Sequence, residues 1–224
     1  MAKTGNIKVL IIDNHPLFKL GLSTILEKTQ KFDVIGNVEN CADALKIAEK
    51  EKPNLVLMEM QLGKENGLEL IPKLKMINPE ISILIISIQE ERFYAERVLR
   101  LGARGYVLKT ESADVIMSAI NTVLDNKVYL SDNERDRILQ AMTEESKPGV
   151  KDWISSIQLL SNRELQVFSF LAKGLGTIEI ASRLNLSTKT IDTHKEHIKI
   201  KLQCNTVQEL RQKAIEWANR AGNL

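Results

Sequence analysis

The chain is poor in cysteine, proline and aromatic side chains: its 224 residues include 2 Cys, 5 Pro and only 4% Phe, Trp and Tyr. Cys41 and Cys204 stand far apart and neither belongs to a CxxC pair. That argues against a disulfide framework and a cysteine-built zinc site, and no bound metal is expected. No apolar run approaches the roughly 18 residues of a membrane span. The N-terminal stretch MAKTGNIKVLIIDNH has an apolar run closed by Asp13 and no small-residue cleavage site, so it does not read as a signal peptide and a cytoplasmic location is expected. A Gly-rich phosphate loop is missing as well. No nucleophile–base arrangement appears, and His15, His194 and His197 lack partners suited to catalysis, so an enzyme is the weakest reading.

What is there is an ordinary globular composition, 43% hydrophobic and 27% charged, in a length that fits one or two domains. The net charge of +2 is unevenly spread. Residues 161–224 hold ten Lys and Arg against six acids, a net of +4, which leaves −2 for the first 160. The split suits a polyanion-binding C-terminal part, although solvated faces of unequal charge fit it equally well.

Strand-like and helix-like segments alternate from residue 6 to 126. Apolar runs at 7–12, 32–38, 54–59, 81–87 and 105–108 predict strands, and helical spacing marks 16–28, 41–52, 67–77, 91–102 and 112–125. Pro16 suits a first helical turn, Pro72 is expected to kink the third helix, and Gly102 to cap the fourth. Five strands alternating with five helices imply right-handed crossovers and a doubly wound, parallel (βα)5 sheet. Residues 131–152 turn charged and contain a Lys-Pro-Gly break, as a linker with one helix would. Beyond it four helices, 162–173, 177–184, 188–202 and 207–220, predict an all-α unit. Ser161 with Glu164 and Thr206 with Glu209 form capping-box patterns, and Ser187 is a natural N-cap. The expected organisation is an α/β domain over 1–128, a linker over 129–155 and a helical domain over 156–224.

The short helix, the break Asn185-Leu186-Ser187 and the longer helix after it fit a helix-turn-helix. On that longer helix Ile191, His194, Ile198 and Leu202 form one stripe. Lys189, Asp192, Thr193, Glu196 and Lys199 form the opposite face, with Lys195 and Lys201 at its flanks. Such a helix suits the major groove; the face taken alone also suits a solvated helix bundle. The stretch LSNRELQVFSFLAKGLGTIEIASRLNLSTKTIDTHKEHIKIKL, followed by TVQELRQKAIEW, closely resembles the LuxR-type DNA-binding domain of the NarL/FixJ response-regulator family. Leu160, Arg163, Glu164, Gly174, Glu179, Ala181, Leu184, Thr190, Ile191, Ile198 and Lys201 are among the residues that carry the likeness, while Asn162 and Gln203 stand where the family usually has Pro and Gly. The resemblance implies that double-stranded DNA is the partner. Thr177, Thr188, Lys189 and Lys201 would contact phosphates, and Asp192, Thr193 and Glu196 would contact bases. The family's last helix often makes a dimer contact, so Val207, Leu210 and Trp217 become candidates for a homodimer interface, with core packing as the equal alternative. A regulatory protein or RNA polymerase would be a further partner.

In an open parallel sheet, functional side chains collect at the C-terminal strand ends. Here those ends offer Asp13 and Asn14, Glu59, Ser87, and Tyr106 with Lys109. IIDNHPLF, NLVLMEMQLGKENGLEL and ILIISIQEERFYAERVLRLGARGYVLK resemble, segment by segment, the phosphoryl-accepting receiver domain of response regulators. Ser87, Tyr106 and Lys109 match its switch hydroxyl, switch aromatic and lysine. Three positions depart. Asn14 replaces the second acid of the pair that binds Mg²⁺, Glu59 replaces the phosphoacceptor Asp, in register with Gly67, and Gly63 replaces a usual Pro. Mg²⁺ wants hard, charged oxygens, and phosphoryl transfer wants a nucleophile placed with high accuracy. Mg²⁺ binding is therefore expected to be weakened and Glu59 to stay unphosphorylated. Its longer carboxylate either reaches Lys109 and imitates a phosphorylated Asp, or merely balances Lys109 in an inert scaffold. The expected function is a sequence-specific, DNA-binding transcription regulator not controlled by conventional Asp phosphorylation; the alternative is an orthodox phosphorylation-switched one.

Overall fold

A computed structural model of the chain describes residues 6–63, 65–144, 157 and 159–222. The chain divides into two compact units at Ser131/Asp132. The first runs β1 (Ile7–Ile12), α1 (Pro16–Lys28), β2 (Phe32–Val38), α2 (Cys41–Glu51), β3 (Leu55–Met58), a short hairpin of β4 (Gln61–Leu62) and β5 (Glu65–Asn66), α3 (Leu70–Ile77), β6 (Ser82–Ser87), α4 (Glu91–Leu101), β7 (Gly105–Leu108) and α5 (Ala113–Leu124). The five longer strands form one parallel sheet in the order β2-β1-β3-β6-β7. Strands β3 and β6 are buried along their whole length, as expected for strands covered on both faces. On one face Val9, Ile11, Leu55, Leu57, Leu84 and Ile86 pack with Leu22 and Leu26 of α1 and Ile116, Ile120 and Val123 of α5. The alternate residues Leu10, Ile12, Val56 and Met58 are buried too, on the side opposite by strand alternation.

Helix ends follow local chemistry. Ser112 accepts the Val115 N–H to open α5, and Gly102, at φ +106, closes α4 in a left-handed conformation that favours glycine. Pro72 makes no kink in the helix interior. A 3-10 turn at Gly67–Glu69 precedes α3, so the proline falls in the first turn of α3, where its missing N–H has little effect. The β4–β5 hairpin is an addition that periodicity did not announce, and its turn residue Gly63 has φ +61, closed to proline. Past α5, Tyr129 donates to Arg104 O (3.0 Å) and accepts from Tyr106 N–H (3.1 Å). The first unit thus reaches beyond residue 128.

The second unit holds α6 (Asp132–Glu144), α7 (Asn162–Ala172), α8 (Thr177–Leu184), α9 (Thr188–Lys201) and α10 (Val207–Gly222), with no strand among its described residues. Helix α6 occupies the start of the expected linker, and residues 145–155 lie outside the described part. Ser161 and Glu164 form the full capping box of α7. Thr206 accepts the Glu209 N–H, but Glu209 turns to the N–H of Asn205. Helix α8 ends at Asn185, left-handed at φ 52, and Ser187 opens α9 by accepting the Thr190 N–H.

Candidate acid pocket and nucleic-acid interface

The strand order reverses between β1 and β3, the position where open α/β sheets place their ligand sites. Asp13 and Asn14 leave β1 there, and Glu59 leaves β3 beside them. Glu59 is 1% exposed. Its Oε1 accepts from the N–H of Met60 (2.7 Å), the N–H of Gln61 (3.1 Å) and the hydroxyl of Ser87 (2.5 Å). Its Oε2 meets Lys109 Nζ at 2.9 Å. The same ammonium pairs with Asp13 Oδ2 at 2.5 Å and lies 4.8 Å above the Phe18 ring. A buried carboxylate is costly unless charge and donors meet it; here Oε1 has three donors, and Oε2 has the Lys109 charge without a hydrogen bond.

His15 joins the group, although no partner for it is evident from the sequence. Its N–H reaches Asp13 Oδ1 at 2.7 Å because the chain turns at once into α1. Its Nδ1 lies 2.9 Å from both Asp13 Oδ1 and Lys109 Nζ. Asp13, His15 and Glu59 thus bring candidate ligand atoms within 4.8 Å of one another. Asn14 turns away. With its amide oriented to satisfy both neighbours, it donates to Gln61 O (3.2 Å) and accepts from Gly63 N–H (3.2 Å). A carboxylate could accept the second bond but not donate the first.

Ser87 ends β6, and Tyr106 lies within β7. Tyr106 is 0% exposed, and its hydroxyl donates to Gln89 O at 2.9 Å. Burial pushes this phenol well above its ordinary range, and the Glu59 carboxylate adds to the shift. Asp13, Asn14, Glu59, Ser87, Tyr106 and Lys109 therefore come together as the strand-end argument expects.

In the second unit, Ile191, Ile198 and Leu202 are buried on one side of α9, while Thr188, Lys189, Asp192, Thr193 and Glu196 are exposed on the other. Lys199 is half-buried and pairs with Glu196 at 3.0 Å. Lys195 corrects its flank position. It is 7% exposed, and its Nζ bridges Thr177 Oγ1 (2.5 Å) and Asp192 Oδ1 (2.9 Å). Lys201 turns to the buried Glu164 at 2.6 Å. Burial raises the Glu164 pKa, but the bonds from Lys201 and Ser161 outweigh it and hold the carboxyl below its usual range. Among the dimer candidates, Leu210 is a correction: at 0% exposed it belongs to the core, where α10 packs on α7. Trp217 is half-buried with its ring 5.2 Å from that of Phe168, and Val207 is exposed.

A (βα)5 unit with a polar cluster at its switch point, followed by a helix-turn-helix unit with an exposed polar helix face, defines a regulator of the response-regulator class. Residues 9–121 match the response regulator receiver domain, and residues 158–214 match the bacterial regulatory proteins of the luxR family. The chain is 34% identical over 203 residues to BvgA of Bordetella pertussis, named as a transcription regulator of virulence factors, covering 91% of this chain and 94% of that one. It is 30% identical over 211 residues to the oxygen regulatory protein NreC of Staphylococcus aureus, covering 94% and 97%. RcsB of Salmonella enterica serovar Typhimurium, solved on promoter rprA, shares the fold at a TM-score of 0.58 and 23% identity, over 94% of this chain and 98% of that one. The chain belongs to the NarL/FixJ family of response regulators and is a DNA-binding transcription regulator. No helix among the described residues is long and apolar enough to cross a membrane.

Proposed function

We propose that Glu59 holds the receiver domain in its signalling arrangement, so that sequence-specific DNA binding through α9 needs no phosphorylation. One observation carries this reading: the Glu59 carboxylate spans Ser87 Oγ and Lys109 Nζ at the same time. A phosphoryl group on a shorter Asp would offer anionic oxygens to the same hydroxyl and ammonium; the additional methylene of Glu supplies that reach directly. The buried Tyr106, bonded to Gln89 O, is the companion element on the neighbouring strand.

The donor set does not suit Mg²⁺. Lys109 Nζ lies 2.5 Å from Asp13 and 2.9 Å from Glu59, so an ammonium already occupies the cation position. Asn14 is bonded to the loop backbone and to His15, and it brings no charge. A divalent ion would have to displace the lysine from both carboxylates, and it would find a histidine nitrogen beside them where its preference is for hard oxygens. The DNA-binding face comprises Thr177, Thr188, Lys189, Asp192, Thr193, Glu196, Lys199 and Lys201. The protein works as a homodimer on paired half-sites about one helical turn apart, in the cytoplasm, with a regulatory protein or RNA polymerase as a further partner.

The test is intact mass after incubation with a small phosphodonor and Mg²⁺. The expected result is no gain. A stoichiometric, acid-labile gain of one phosphoryl group mapping to Glu59 would overturn the proposal.

A further inference from the structure

We propose that Asp192 reads a cytosine in each half-site. The inference rests on α9 facing DNA. Asp192 is the fifth residue of α9, in the half that comes nearest base edges when a recognition helix enters the major groove. Its side chain is 62% exposed, yet it is not a loose surface carboxylate. The buried Lys195 grips Oδ1 at 2.9 Å and is itself anchored on Thr177 Oγ1 of α8 at 2.5 Å. A buried ammonium keeps its place only while acceptors hold it, so the contact runs from the core of the domain out to the reading face.

Two consequences follow from that clamp. Lys195 lends positive charge to Asp192, which reduces the repulsion an acid would otherwise feel from phosphates. It also fixes the carboxylate's orientation before DNA arrives, which is what discrimination between base edges needs. Glu196, one turn on, has a longer side chain and pairs with Lys199, whose ammonium is held from α9 alone in the contacts described. Lys195 is the positioning residue of the pair, and Asp192 is the one that determines specificity.

The base follows from the chemistry of an acceptor that cannot donate. Guanine shows the major groove two acceptors, and thymine an acceptor and a methyl group; both reject a carboxylate. Adenine offers an amino group beside the acceptor N7, whereas cytosine offers its N4 amino group with no acceptor next to it in the groove. Cytosine is the edge that Asp192 fits.

The experiment is selection from random duplexes with the full-length protein, in parallel for wild type, Asp192→Asn and Lys195→Met. Wild type should enrich a site with one cytosine per half-site preferred about tenfold or more. Asp192→Asn should lose that preference or shift it to adenine, which an amide can bind in two-point fashion, and leave the other positions unchanged. Lys195→Met, checked for cooperative unfolding, should relax the same position. Identical sites for wild type and Asp192→Asn would overturn the inference while leaving DNA binding intact. A wild type that enriches no sequence would instead remove the DNA-binding reading on which it rests. The Asp192→Asn comparison decides the matter whether or not Lys195→Met folds.

Discussion

Glu59 is an acid placed where water cannot reach it, so what stabilises its charge comes from its neighbours: two backbone N–H groups and the Ser87 hydroxyl on Oε1, and the Lys109 ammonium facing Oε2. Replacing it by Gln keeps the shape and removes one of the two carboxylate charges that hold Lys109. If the bridged arrangement is the signalling one, Glu59→Gln should weaken DNA binding on the order of tenfold, a typical coupling between sites, in a fluorescence anisotropy titration. Restoring the family's acids tests the same chemistry in the opposite direction. The double variant Asn14→Asp with Glu59→Asp should accept one phosphoryl group from a small donor with Mg²⁺, where wild type accepts none. At this scale the sequence was a good guide to which residues meet, because strand ends are fixed by topology. It was a poor guide to pairings that depend on side-chain direction. His15 gained Asp13 and Lys109, and Lys195 moved from flank to interior, because a turn into a helix and a contact between two helices lie outside any periodicity.

Elements inherit their limits from caps and close approaches. A Cβ at Gly67 would lie 2.7 Å from Glu59 O and 3.1 Å from Met60 O, both backbone atoms. Gly67→Ala should therefore push the β3 end that carries Glu59 and lower the stability of the first unit by about 1–3 kcal/mol, read by denaturant unfolding. In the second unit, acidification should act in two stages. Burial, followed by the charge of Arg163, lowers the His194 pKa from its ordinary 6.5. The unfolded chain therefore takes up that proton first, and stability falls as pH drops through about 6.5. Glu164 is also held below its ordinary 4.5, so its contribution is present above that value and disappears as pH falls through it. His194→Gln should remove the first stage and Glu164→Gln the second, in unfolding midpoints followed against pH. Helix limits were legible wherever a local cap sets them, as at Ser112, Ser161 and Ser187. The β4–β5 hairpin was not, because Asn14 and Gly63 meet in that loop across the sheet end, nor was the harmless position of Pro72, which depends on the 3-10 turn that delays the start of α3.

At the scale of the whole molecule, the +4 of residues 161–224 falls on the helices around α9, where Glu164, Asp192 and Glu196 are paired with Lys201, Lys195 and Lys199. Affinity for DNA should then depend on the lysines left facing outward. Lys189→Ala should weaken binding to every duplex and lower the salt slope by about one. The two outcomes for the last helix separate in the same way. Leu210→Ala, a cavity in the core, should destabilise the second unit by about 2–5 kcal/mol without a specific effect on assembly. Val207→Asp should shift sedimentation equilibrium toward monomer with the fold intact. The overall plan was readable from sequence because periodicity, turn residues and charge agree along most of the chain; the interface was not, since a stripe such as Val207, Leu210 and Trp217 does not reveal which side of it faces the core. The most direct measurement of the central claim is the affinity of the unphosphorylated full-length protein for a selected duplex, titrated with and without a small phosphodonor and Mg²⁺. Tight binding that the donor leaves unchanged is the predicted result, and binding that emerges only after phosphorylation at Glu59 would contradict it.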